Sequence, residues 1–105
     1  MNAAARLEML RAMHQQNPND GFVAYGLAME LAKAPATTVE SRRIFESLLV
    51  QVPDYLPAYL QFGLLLVRLG DESAAKLVYT EGIALAQRQG DRHTQGELEG
   101  ALAML

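Results

Sequence analysis

Two histidines, His14 and His93, are the side chains of this 105-residue sequence best suited to proton transfer or metal binding near neutral pH. They stand near opposite ends of the chain, and each is expected at a surface or a helix end. Cysteine is absent, which removes disulfides, thiolate zinc ligation and cysteine nucleophiles together. Ser41, Ser47 and Ser73 fall within stretches of helical pattern, and no nucleophile elbow surrounds any of them. No glycine-rich loop opens a helix with a following lysine, so a phosphate cradle is not expected either. Acidic residues pair with bases at helical spacing, as Glu72 does with Lys76 and Glu40 with Arg43, which supports exposed helix faces. The residue types therefore predict no enzyme activity, no cofactor and no metal site.

Composition narrows the class further. Half of the residues are hydrophobic and a fifth are charged, as in a globular chain, and the length suits one compact domain. Net charge is −3, and the nine basic residues are scattered, with only Arg42 and Arg43 adjacent. Nucleic-acid binding draws its affinity from clustered lysine and arginine, so no nucleic-acid partner is expected. The longest apolar run, "FGLLLV", stops at Arg68, far short of the roughly 20 residues of a membrane helix. Arg6, Glu8 and Arg11 deny the N-terminus the apolar centre of a secretory signal. A cytoplasmic protein without a membrane partner is the expectation.

Proline and glycine set the elements that would carry any function. Pro18, Pro35, Pro53, Gly70 and Gly90 divide the chain into six segments whose apolar residues recur every three or four positions. Asp20, Thr37, Asp54, Asp71 and Asp91 are placed to cap the following helices. Thr37 with Glu40, and Thr94 with Glu97, have capping-box spacing, so the last helix starts at Asp91 or Thr94. No segment alternates like a strand, and the predicted fold is all-α.

The segments repeat. Aligning Gly26 with Gly63 sets Phe22, Tyr25, Gly26 and Met29 against Tyr59, Phe62, Gly63 and Leu66, an offset of 63 − 26 = 37 residues. In the second helices Ser41 and Phe45 match Ala75 and Tyr79, an offset of 79 − 45 = 34, which places a three-residue insertion in the turn "KAPATT". This pattern resembles the tetratricopeptide repeat, most closely in the second copy, where Tyr59, Phe62, Gly63, Leu66, Gly70, Asp71, Ala75, Tyr79 and Gly82 carry family-like types. Gln87 stands where the closing proline would fall, whereas the first copy keeps it as Pro53. The resemblance implies a helical repeat of about six helices in one domain, residues 1–105. Its parts are an N-terminal capping helix over 1–18, repeats over 19–53 and 54–89, and a C-terminal capping helix over 90–105. Gly63, and Gly26 in the first copy, are expected where the two helices of a repeat cross, with Ala75 as the small neighbour. Gly82 is expected to serve the next contact.

The resemblance also implies a protein-interaction adaptor. Phe22, Tyr25, Gly26 and Met29, like their counterparts around Gly63, should pack on the partner helix of their own repeat. Beside them runs a second stripe, Val23, Leu27 and Glu30 in one copy and Leu60, Leu64 and Val67 in the other. A surface helix ordinarily has one apolar stripe, so the second needs a cover. In tetratricopeptide domains this face lines the concave groove that holds peptide or helical segments. The groove candidates are therefore Val23, Leu27, Glu30, Leu60, Gln61, Leu64, Val67 and Arg68. Arg68 is the only base on a face otherwise made of residues such as Asp20, Ala24 and Pro57, which disfavours a receptor for a C-terminal carboxylate and favours an apolar or amphipathic helix. Two other covers remain open: the chain's own terminal helices, or a second copy in a homo-oligomer. Gly96 and Gly100 in the last helix, with Ala103 near their face, give it a smooth surface.

Overall fold

Aspartates begin three of the helices, and two glycines end the turns between them. The computed structural model describes residues 1–105 as two units, Met1–Pro53 and Asp54–Leu105, each of three helices. The first unit holds α1 (Ala3–Gln16), α2 (Gly21–Leu31) and α3 (Thr38–Gln51), with a 3-10 turn at Pro35–Thr37. The second holds α4 (Pro57–Arg68), α5 (Glu72–Gln89) and α6 (Arg92–Ala103). There is no strand, as the periodicity predicts.

In the first unit Asp20 caps α2, its carboxylate accepting the backbone N–H groups of Phe22 and Val23 at 3.1 and 3.3 Å. Asn2 caps α1 in the same way by accepting from Ala5 N–H at 2.8 Å. Thr37 behaves differently from its sequence expectation. It precedes α3 without capping it, and its hydroxyl donates to the carbonyls of Leu31 and Ala34. The Thr37–Glu40 capping box therefore does not form, and the Glu40 carboxylate instead receives Arg11 of α1. The Thr37 hydroxyl ties the turn to the end of α2, where the carbonyls lack helical partners. In this unit α2 packs against α3 and α1 against α2. Leu31 and Phe45 are fully enclosed.

In the second unit α4 starts at Pro57, whose missing N–H is harmless at a first helical position, and Asp54 is not its cap. Asp71 caps α5 through Ala74 N–H at 3.1 Å. Asp91 caps α6 through Thr94 N–H at 3.0 Å and also accepts the Thr94 hydroxyl at 2.9 Å, so Asp91 and not Thr94 is the start of the last helix. Gly70 and Gly90 turn the chain with φ of +80° and +71°, a conformation that a side chain disfavours. Here α5 packs against both α4 and α6.

The two repeats are in a different register from the one that the glycines imply. On α4 the buried residues are Ala58, Tyr59, Phe62, Gly63, Leu65 and Leu66. On α2 they are Val23, Ala24, Leu27, Ala28 and Leu31. These sets superimpose at an offset of 63 − 28 = 35 residues, so the counterpart of Gly63 is Ala28. With the second helices 34 apart, the turn after α2 carries one extra residue and not three. Gly26 is thereby corrected: a Cβ there would lie 3.6 Å from Leu10 of α1, an ordinary contact, away from the α2–α3 crossing. Phe22, expected to pack on the partner helix, is 76 % exposed. The crossing uses Ala28 and Ser41, whose hydroxyl donates to the Ala28 carbonyl at 2.7 Å. At the equivalent place in the second unit a Cβ on Gly63 would fall 2.6 Å from Cδ1 and Cζ of Tyr79. Tyr79, more than Ala75, is what requires the glycine. Gly82 does serve the next contact, facing Tyr59 on α4 and Leu98 on α6.

Candidate interaction surface

The eight residues expected to line a groove divide sharply between the units. On α2, Val23 and Leu27 lie in the core, at 7 % and 2 % exposure. The Glu30 carboxylate is only 13 % exposed and is held between Arg6 of α1 at 3.3 Å and Lys33 at 2.7 Å. These contacts hold its pKa below the ordinary carboxylate value, with the Lys33 hydrogen bond as the main cause. Leu10 of α1 stands over Gly26 on this same side. Glu30 and the neighbouring Gly26 thus face the chain's own first helix, Val23 and Leu27 are buried, and the stripe offers no open surface. Its apolar character is explained by burial.

On α4 the picture is open. Leu64 and Val67 are 43 % and 36 % exposed, Arg68 is exposed, and Leu60 and Gln61 are half-buried. Leu60, Leu64 and Val67 follow one another at helical spacing, on the side of α4 that its core residues leave free. The 35-residue offset finds the matching face of α2, which contains Tyr25 and Met29, both half-buried, and begins at the exposed Phe22. Aligning the glycines as equivalent places these three in the interior. The usable signal was the small pair Ala28 and Ser41, opposite Gly63 and Ala75. Lys33, in the turn just after α2, is the counterpart of Arg68, and its ammonium is paired with Glu30.

No cluster of three histidine, cysteine, aspartate or glutamate side chains is present. His93 lies 3.5 Å from Glu97, four residues on, at the surface of α6. His14 is half-buried on α1, and its Nδ1 is enclosed without a hydrogen-bond partner. No helix is long and apolar enough to cross a membrane.

No family model and no curated protein matches the chain. Solved structures do. The crystal structure of a tetratricopeptide repeat domain protein from Salinibacter ruber is 32 % identical and covers 81 % of this chain and 93 % of that one, with a TM-score of 0.74. The chain belongs to the tetratricopeptide repeat family. A solution structure of a tetratricopeptide repeat domain protein from the same organism agrees, with 32 % identity, 84 % and 88 % coverage and a TM-score of 0.77. In this tetratricopeptide protein, α2 with α3 and α4 with α5 are the helix pairs that carry the repeat pattern, and α1 and α6 flank them. Tetratricopeptide repeats are protein-interaction modules, and that general reading extends to this chain.

Proposed function

We propose that this protein is a non-enzymatic adaptor that takes a peptide or an amphipathic helix on the apolar faces of its repeats' first helices. The observation that carries the reading is the exposure of Leu64 and Val67 beside Leu60 on α4, a helix whose opposite side is already core. Apolar side chains at this spacing match the anchors of an amphipathic helix laid against them. Each could contribute about 1.5–3 kcal/mol of gross burial before association costs are met. Phe22, Tyr25 and Met29 supply a second apolar face on α2.

The chemistry of the ligand follows from what these faces lack. Arg68 is the one base among the α4 positions, and Lys33, just past the end of α2, is neutralised by Glu30. A carboxylate clamp would need several free cations, so an apolar segment suits the surface better than a charged chain terminus. The test is selection of helical peptides against the wild-type protein from a displayed library, followed by affinity measurement against Leu64→Arg. Loss of binding with an unchanged melt supports the reading. Binding that survives the substitution counts against it.

A further inference from the structure

The helix that covers α2 is poorly anchored. α1 is 14 residues long and none of its residues is buried. Leu7 and Leu10 are half-buried, while Met9 and Met13 remain 44 % and 41 % exposed. What joins α1 to the rest of its unit by charge is a pair of ion contacts, Arg6 to Glu30 of α2 at 3.3 Å and Arg11 to Glu40 of α3 at 2.7 Å. The Arg6 contact is a single partly exposed pair of the weak kind. Arg11 grips Glu40 at two points, Nε and Nη2 on the two carboxylate oxygens at 3.2 and 2.7 Å, and is the main tie. Both contacts are partly exposed and so are screened by salt. Gly26 and Glu30 mark the side of α2 that faces α1, and Val23, one turn before Gly26 on that side, is well buried.

We propose that α1 is a displaceable clasp that opens as a unit and uncovers the side of α2 that carries Val23, Gly26 and Glu30. The joint permits this. α1 ends at Gln16, and Pro18, which has no N–H to continue helical hydrogen bonding, separates it from α2. α2 carries its own cap in Asp20, so its first turn survives the departure of α1. The opposite end of the chain provides the contrast. α6 is also terminal and is shorter, at 12 residues, but it is anchored by Leu98, which is fully buried against the Gly82 region of α5. End-fraying alone would loosen both helices alike. The clasp loosens α1 selectively and does so in response to salt.

Hydrogen exchange on the full chain tests this together with a thiol placed at Val23→Cys, which is unique because the chain has no cysteine. The α1 amides are expected to exchange at least about tenfold faster than those of α6, as local opening requires. High salt or Glu40→Gln should accelerate α1 further, and should speed labelling of the Val23→Cys thiol while α3 exchange stays unchanged. Equal protection of α1 and α6 would overturn the proposal. So would labelling of the thiol only at the rate at which α3 itself exchanges, since that is global unfolding. If the cysteine variant does not fold, the exchange of α1 in the wild type and in Glu40→Gln decides alone.

Discussion

The Ser41 hydroxyl donates a buried hydrogen bond of 2.7 Å to the carbonyl of Ala28, and this contact marks where α2 and α3 cross. Two small residues allow the approach, and the hydroxyl is satisfied without water. The Ala28 carbonyl also accepts from Ala32 N–H at 3.0 Å within its own helix turn. Removing the serine oxygen therefore leaves no orphaned backbone group. Ser41→Ala should cost about 0.5–1.5 kcal/mol, the net worth of one hydrogen bond. Ser41→Val adds volume at the crossing and should cost more, by about 1–3 kcal/mol of overpacking. Urea unfolding of the two variants checks the order.

The glycines at 26 and 63 should respond in opposite directions to the same change. Gly63→Ala places a methyl group against the Tyr79 ring, and Tyr79 is itself fully buried with little room to move. A loss of about 1–3 kcal/mol is expected, and Gly63→Val should unfold the second unit. Gly26→Ala meets only the end of Leu10 at 3.6 Å. It should stabilise the protein by roughly 0.5–1 kcal/mol, because alanine is the better helix former. Melting curves of the two alanine variants separate the register seen here from one in which both glycines mark crossings.

Those two positions also show how far the sequence could be read. Helical periodicity and Pro/Gly punctuation identified six helices, because each apolar stripe must face a partner. Gly63 and Gly82 were legible as packing glycines, since helical glycine is costly unless something lies close. Gly26 was misread because a glycine at a helix surface looks the same in one dimension as a glycine at a crossing. That error of two residues moved Val23 and Leu27 from the core onto a supposed open face and hid Phe22, Tyr25 and Met29 inside. On α4, where the glycine is the true anchor, Leu64 and Val67 are exposed as the pattern implied. Caps divided similarly: Asp20, Asp71 and Asp91 accept backbone bonds, whereas Thr37 turns to α2 and Asp54 stands too far before Pro57.

Acid should loosen α6 through its cap. The Thr94 backbone N–H, and then its hydroxyl, hold the Asp91 carboxyl below its ordinary value of 3.8. A carboxyl whose folded pKa is depressed contributes stability that is complete above the unfolded value and is lost as pH falls through the folded one. Asp91→Asn keeps an acceptor at the cap but does not titrate. The difference in melting temperature between wild type and Asp91→Asn should therefore be constant near neutrality and shrink below about pH 4. A difference that stays flat through that range would show that the carboxylate is not the titrating cap.

The claim that α4 presents a binding face rests on Leu64, and one measurement addresses it most directly. A helical peptide selected against the wild-type protein is titrated against wild type and Leu64→Arg, with the thermal melt of each recorded alongside. The variant is expected to bind at least about tenfold more weakly, equivalent to about 1.4 kcal/mol, with a melt essentially unchanged. Undiminished affinity, or a variant that no longer folds, would contradict the claim.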